Sequence, residues 1–284
     1  MNTDRRALLI HQGAVGDFIV ACRLIDFSNE LWGTHRWSYL GKSSHGRLAM
    51  GLSLIETFED FDRPEWCLLF STEGKIPDAV TSFLGSFKLI VNVLTGPKNV
   101  FARRLESASR GRVVHIDPKL PDDFDGHVLE YLTGQIPGGP VRTLPESVFQ
   151  VHENLLAQAR SEDAQRLMLF HPGASNDMKR IPMDDFIGLM ADSPRRGIVL
   201  GEVELDRFSA GDLRRLESMG RMFVNLPLEN VAGLLAVGEA YVGHDSGLSH
   251  LAGAVGTPST VIFRRPNWKN WRPLGPKIQV VYRP

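Results

Sequence analysis

Short apolar runs alternate with segments of helical spacing along most of this sequence. The first run, residues 7–12, is followed by a glycine turn and then by helical spacing over residues 18–31. Continuous apolar runs of this length are typical of strands that are buried on both faces, as in parallel sheets. The alternation therefore predicts an α/β fold in which helices cover both faces of parallel sheets.

The strongest break in this alternation is the Pro-Gly-Gly-Pro sequence at residues 137–140. Before it, we predict strands at residues 7–12, 37–40, 68–70, 89–94 and 113–116, with helices at 18–31, 46–52, 78–84, 100–107 and 127–133. After it, we predict strands at 167–170, 197–200, 240–242, 260–263 and 278–282 and a short one ending at Asn225, with helices at 146–160, 183–191, 211–218 and 228–236. The pattern predicts two domains, residues 1–150 and 151–263, and a tail, residues 264–284, that returns towards the domain interface.

The charge of the chain is nearly balanced, with 32 basic and 33 acidic residues, which argues against an electrostatic binder of nucleic acid. The tail differs because it has no acidic residue and these basic ones: Arg264, Arg265, Lys269, Arg272, Lys277 and Arg283. Its aromatic residues Trp268 and Trp271 are compatible with stacking on nucleic acid or with packing at a domain interface, and we favour packing.

Two features predict a cytoplasmic protein. Cys22 and Cys67 lie in apolar sequence without the spacing of metal ligands, so we predict two buried thiols in a reducing compartment. No apolar run approaches the roughly 20 residues of a membrane-spanning helix, and we expect no signal peptide before the first strand.

The first candidate motif is Gly-Ala-Val-Gly-Asp at residues 13–17, directly after the first strand. Its G-x-x-G spacing differs from the dinucleotide-binding fingerprint, so the motif alone does not predict a dinucleotide site. Asp17 stands where a carboxylate either caps the following helix or acts as a base, and both interpretations stay open.

The second motif, His-Pro-Gly-Ala-Ser at residues 171–175, follows a predicted strand and precedes Lys179 and Arg180. The Ser175 hydroxyl and the cations suit a phosphate at the carboxyl edge of a sheet. In isolation, a surface loop with a solvated Lys-Arg pair is the more frequent explanation of such a segment.

The third motif, residues 243–256, follows the predicted strand 240–242 and consists of a turn and a helix that opens with small residues. Free N–H groups of Ser246 and Gly247 and the helix dipole predict an anion site there. Asp245 would hold the turn, and His250 either faces the ligand or is a half-buried helix histidine. Glu202 and Glu204 follow another strand, where they would hold a ribose or form a solvated acidic turn.

Together, the three motifs resemble those of glycosyltransferase family 9, the ADP-heptose:lipopolysaccharide heptosyltransferases. The family shows G-x-x-G-D after its first strand, then H-P-G-a-s with K-r-w-P, and then D-S-G-l-s-H-l-a. The resemblance implies a GT-B fold, with two Rossmann-like domains that face each other across a cleft. It places the acceptor in the N-terminal domain and the nucleotide sugar in the C-terminal domain.

The resemblance also implies roles for individual residues. Asp17 would be the general base, in an acceptor-side loop shaped by Gly13 and Gly16. The residues that match donor-phosphate contacts are Ser175, Lys179, Ser246, Gly247 and Leu248. The remaining donor-site matches are Glu204 for the ribose, with Glu202 as its substitute, and Asp245 and His250 beside the phosphates.

The predicted activity is an inverting, metal-independent transfer of heptose from ADP-heptose to a lipopolysaccharide-core or related glycan acceptor, without a cofactor. An anionic glycolipid acceptor would bring the chain to the inner face of the cytoplasmic membrane. Two alternatives stay open: a relative that uses a UDP-sugar, as a transferase or an epimerase-like enzyme, and a non-catalytic nucleotide-binding protein.

Overall fold

The computed structural model describes residues 5–33, 35–141 and 143–284. The chain divides into two compact units, Met1–Leu144 and Pro145–Pro284. Each unit has one entirely parallel sheet flanked by helices, which confirms the predicted α/β fold with parallel sheets.

The first unit is a five-stranded sheet in the order β3-β2-β1-β4-β5. Its strands are β1 (Arg6–His11), β2 (Arg36–Gly41), β3 (Thr57–Asp60), β4 (Leu89–Asn92) and β5 (Arg112–His115). Its helices are α1 (Val15–Trp32), α2 (Ser43–Gly51), α3 (Asp78–Gly85), α4 (Val100–Ala108) and α5 (Val128–Gly134). The apolar run predicted at residues 7–12 becomes the central strand β1, where Leu8 and Ile10 are fully buried in the core.

The second unit is a six-stranded sheet in the order β11-β10-β9-β6-β7-β8. Its strands are β6 (Met168–His171), β7 (Arg196–Leu200), β8 (Arg221–Val224), β9 (Ala240–His244), β10 (Ser259–Phe263) and β11 (Ile278–Tyr282). Its helices are α6 (Glu153–Ser161), α7 (Met183–Met190), α8 (Glu202–Arg207), α9 (Ala210–Met219), α10 (Leu228–Val237), α11 (Gly247–Ala254) and α12 (Trp268–Trp271). Phe170, Ile198 and Ile262 pack with Phe186 in its core.

One predicted strand is wrong, one strand was missed, and one helix begins later than predicted. The strand predicted at residues 68–70 is the end of a 3₁₀ helix, Pro64–Phe70, in which Trp66 and Leu69 are buried three residues apart. The neighbouring edge strand β3 was missed because its sequence, Thr-Phe-Glu-Asp, reads as polar. The helix predicted from residue 146 begins only at Glu153, because the Phe149 N–H donates to the Ala254 carbonyl at 2.7 Å and not within a helix.

The basic tail belongs to the second unit, where its last strand, β11, pairs in parallel with β10. Its predicted return towards the domain interface stays a prediction. Cys22 is buried as predicted, but Cys67 is exposed, so the second prediction was wrong. Cys67 lies on the 3₁₀ helix between the buried Trp66 and Leu69, on the face that points to solvent. Across the described ranges, no helix is both long and apolar enough to cross a membrane.

Candidate functional site

The second and third motifs meet at the carboxyl ends of β6 and β9. These strands are neighbours in the sheet, with His171 opposite Gly243. Within the sheet, β7 is the neighbour of β6 on one side, and β9 followed by β10 lies on the other side of β6. A crevice at such a reversal of strand order is the common ligand position in open α/β sheets. The topology therefore brings the two predicted phosphate-binding loops to one edge of the second unit.

An ion pair joins these two loops. Lys179 Nζ lies 2.7 Å from Asp245 Oδ2, and the two side chains are only 22% and 8% exposed. Lys179 ends a one-turn 3₁₀ helix, Asp177–Lys179, whereas Asp245 follows β9 directly. An ammonium group has three N–H donors, so the pair leaves donors for a further anion. The structure thus places a lysine beside the turn that opens α11.

Helix α11 begins at Gly247, and no side chain caps it. The first N–H groups of an α-helix have no partner within the helix, and they carry the positive end of its dipole. Here these groups belong to Gly247 and Leu248, next to the ion pair of Asp245. The start of α11 can therefore bind an oxyanion, as the third motif predicts.

Ser175 and Glu204 lie on the β6 and β7 side of this edge. Ser175 is exposed, and its carbonyl oxygen accepts a hydrogen bond from Arg207 at 3.2 Å. Glu204 is buried, and its Oε2 accepts from the Gly201 N–H at 2.9 Å. A Cβ on Gly173 would overlap this carboxyl group, so the glycine in the loop after β6 leaves room for Glu204 in this position. Glu202 is exposed at the first residue of α8, as in the solvated alternative.

Three histidines of the second unit are buried near the same edge. His250, which was predicted to stand beside the ligand, is only 4% exposed on α11. His171 Nδ1 donates to the Val199 carbonyl at 2.9 Å, and burial lowers the pKa of its imidazole. His244 Nε2 accepts from the Ile181 N–H at 3.2 Å, and burial lowers its pKa to about 4. His244 thus anchors the loop between β6 and α7, whereas His171 joins the end of β6 to β7.

The role of His244 was missed because its partner lies 63 residues away in the sequence. His244 lies in the third motif, two residues after the predicted strand 240–242, and that position was the available signal.

The first motif forms the start of α1 in the first unit. Asp17 is half-buried in the first turn, and its Oδ2 accepts from the Ala14 N–H at 3.2 Å. Lys42 Nζ donates to the Gly13 carbonyl at 3.0 Å. A Cβ on Gly13 would lie 2.8 Å from the His11 ring, which explains the glycine, and Gly16 is the second residue of α1. One carboxylate oxygen of Asp17 therefore caps the helix from its third residue, whereas the N-cap residue itself is Ala14.

His11 and His45 lie beside this loop and were not predicted. Burial lowers the pKa of His11 to about 3 and that of His45 to about 4, with the nearby Lys42 adding to both shifts. The two rings are 6.5 Å apart, and His45 stacks on Phe18 at 4.6 Å. Within residues 5–33, 35–141 and 143–284, no three His, Cys, Asp or Glu side chains gather as metal ligands would.

Comparisons with known proteins extend this picture. A family model of glycosyltransferase family 9 (heptosyltransferase) matches residues 135–283, which is more than half of the chain. No curated protein matches the sequence. The structure is similar to a family 9 glycosyl transferase from Veillonella parvula, with a TM-score of 0.69 and 14% identity over 99% of this chain and 88% of that chain.

Two Escherichia coli structures are similar to the same degree. ADP-heptose lipopolysaccharide heptosyltransferase II has a TM-score of 0.70 and 16% identity over 97% of this chain and 90% of that one. Heptosyltransferase WaaC with ADP has a TM-score of 0.68 and 15% identity, with 98% and 93% covered. At these identities the likeness shows the fold, which is GT-B.

Proposed function

Because the chain belongs to glycosyltransferase family 9, we propose that it transfers heptose from ADP-heptose to a lipopolysaccharide-core or related glycan acceptor. Glycosyl transfer itself follows from the family. The diphosphate part of the proposed donor rests chiefly on one observation, the partly shielded Lys179–Asp245 ion pair beside the uncapped start of α11. This arrangement suits the diphosphate of a nucleotide sugar, with the Ser175 and Ser246 hydroxyls as further donors.

In the proposed reaction, Asp17 is the base. The carboxylate of Asp17 accepts from the Ala14 N–H through Oδ2, and a carboxylate offers further lone pairs that can take a proton. The acceptor hydroxyl gives its proton to Asp17 while its oxygen bonds to the anomeric carbon. The bond from that carbon to the phosphate oxygen breaks, and ADP leaves. One displacement of this kind inverts the anomeric configuration.

The departing ADP carries new negative charge on its diphosphate. Lys179 and the N–H groups of Gly247 and Leu248 lie fixed in the structure at the edge where we place this group. Preorganised cations and N–H dipoles stabilise such charge effectively. We therefore propose a transfer that needs neither a metal ion nor a cofactor, and unchanged turnover in EDTA is the expected result. Glu204 would hold the ribose hydroxyls.

The named ligands of similar structures support ADP-heptose as the donor. WaaC has been solved with ADP and with ADP-2-deoxy-2-fluoro heptose. A thermal-shift panel of ADP, UDP, GDP and NAD tests this choice. We expect the largest rise in melting temperature with ADP. A preference for UDP would favour a UDP-sugar enzyme, and a preference for NAD would overturn the nucleotide-sugar assignment.

We also propose that the acceptor is an anionic glycolipid or glycan and that the chain works in the cytoplasm, at the inner membrane surface. Lys42 is exposed beside the Asp17 loop and would face such an acceptor. Co-sedimentation with vesicles tests the location. Binding to vesicles that contain anionic lipid, but not to neutral ones, is the expected result.

A further inference from the structure

A buried chain of hydroxyl groups lies under the turn that opens α11. Tyr241 is fully buried on β9, and its hydroxyl is 3.1 Å from Ser249 Oγ. Ser249 Oγ is 2.5 Å from the His244 carbonyl oxygen and 3.4 Å from Ser246 Oγ. A Cβ on Gly243 would overlap the Tyr241 hydroxyl, so only a glycine lets the tyrosine occupy this place.

The donors in this chain follow from counting hydrogens. A hydroxyl group has one hydrogen, and a carbonyl oxygen can only accept. Ser249 therefore donates to the His244 carbonyl, and both other contacts must be accepted by Ser249. Tyr241 donates to it, and so does Ser246. The Ser246 contact is the longest of the three and hence the weakest.

We propose that Tyr241 is a positioning residue for the turn that holds the donor diphosphate. This inference rests on the proposed function, in which Ser246 bonds that diphosphate. Because Tyr241 satisfies the buried Ser249 oxygen, Ser246 can turn its hydrogen outwards to a phosphate oxygen. Without the tyrosine hydroxyl, Ser246 would be the remaining donor to Ser249, and the phosphate would compete for that one hydrogen.

The first unit offers a matched control. Tyr39 stands two residues before Gly41, the last residue of β2, and Tyr241 stands two residues before Gly243, the last but one of β9. It is equally buried, and its hydroxyl donates to the His11 carbonyl at 2.7 Å. Tyr39→Phe therefore removes a comparable buried hydroxyl that is not part of the chain under α11.

A double-mutant cycle on ADP binding, measured by calorimetry, tests the proposal. Tyr241→Phe should weaken ADP about three- to ten-fold, the effect of one neutral hydrogen bond. Ser246→Ala should weaken it about ten-fold or more, because the bond that is lost goes to a charged phosphate. The double variant should bind ADP no more weakly than Ser246→Ala alone. Without the Ser246 hydroxyl, the hydrogen bond from Tyr241 to Ser249 no longer affects phosphate binding. Tyr39→Phe should leave ADP affinity unchanged.

Each other outcome has a distinct meaning. Unchanged affinity in Tyr241→Phe, or independent losses that multiply in the double variant, would overturn the positioning role and leave the proposed function intact. Failure of the wild-type chain to bind ADP would overturn the donor assignment and this inference with it. If Tyr241→Phe does not fold, Ser249→Ala replaces it. Ser249→Ala should change the ADP affinity of the wild-type chain but not that of the Ser246→Ala variant. If it changes both affinities by the same factor, the proposal is overturned.

Discussion

Lys179 and Asp245 form an ion pair of 2.7 Å between the loops that follow β6 and β9. The pair is largely shielded from water. Removing one partner would therefore leave a poorly solvated charge, which costs more than in an exposed pair. It fixes an ammonium group beside the open N-terminus of α11. Lys179 is therefore the cation that we assign to the proposed diphosphate, and Asp245 is the residue that orients it.

Replacing Lys179 should weaken ADP binding strongly. Hydrogen bonds to charged groups contribute about 1.5–3 kcal/mol, so Lys179→Met should raise the Kd for ADP about ten- to hundred-fold in calorimetry. Lys75 is a matched control, because its 2.8 Å pair with Asp78 is fully on the surface of the first unit. Lys75→Met should not change the Kd. If Lys179→Met and Lys75→Met bind ADP with equal Kd values, Lys179 does not contact the donor.

Asp17→Asn separates the base from the helix cap. The asparagine oxygen can still accept from the Ala14 N–H, so the melting temperature should stay close to that of the wild type. The kcat of transfer should fall about 10²- to 10⁴-fold, the usual contribution of a general base, with ADP affinity unchanged. Asp78→Asn, at the first residue of α3, is the control and should keep full activity. A lower melting temperature with normal kcat would indicate a purely structural aspartate.

Glu204 and Glu202 should differ in nucleotide binding. Glu204→Gln keeps an oxygen for the Gly201 N–H but loses the charge that ribose hydroxyls would bond. We expect about five- to ten-fold weaker ADP binding and unchanged pyrophosphate binding. Glu202→Gln, at the exposed neighbour, should change neither. If Glu204→Gln loses affinity for ADP and for pyrophosphate equally, Glu204 supports the structure of the site and does not bind the ribose.

Stability should fall in weak acid because of buried histidines. The pKa of His45 is lowered by burial from an ordinary value near 6.5 to about 4. Below pH 6.5 the unfolded chain takes up a proton that the folded chain does not bind until about pH 4, so the free energy of unfolding falls across this window. His45→Phe keeps the stack on Phe18 and should reduce that fall by on the order of 2–3 kcal/mol in urea titrations.

The control for this prediction is the exposed His152, which lies just before α6. His152→Gln should leave the dependence on pH as it is in the wild type. A His45→Phe variant with the full acid sensitivity of the wild type would contradict the assignment.

The sequence predicted those features that depend on local pattern. The apolar run of β1 and the small residues of α11 identify a buried strand and a helix start by themselves. The 3₁₀ helix at Pro64–Phe70 was missed because a short apolar run reads alike in a strand and in a buried helical turn.

Features that depend on distant residues could not be predicted. Nothing near Lys179 in the sequence identifies Asp245 as its partner. Tyr241 lies in a predicted strand, and His244 lies in the third motif without a predicted role. Their roles follow from the pairing of β6 with β9, which brings together loops more than 60 residues apart. The assignments of Asp17, Ser175 and Glu204 to acceptor, phosphate and ribose stay predictions.

The most direct test of the whole account is a transfer assay with ADP-heptose and a lipopolysaccharide-core acceptor in EDTA. Mass spectrometry follows the heptosylated product, and a coupled assay follows ADP. We expect one ADP for each heptose transferred, an inverted anomeric linkage, and little product with Asp17→Asn. A wild-type chain that binds ADP but forms no product with ADP-heptose or any UDP-sugar would contradict the account and indicate a nucleotide-binding protein without turnover.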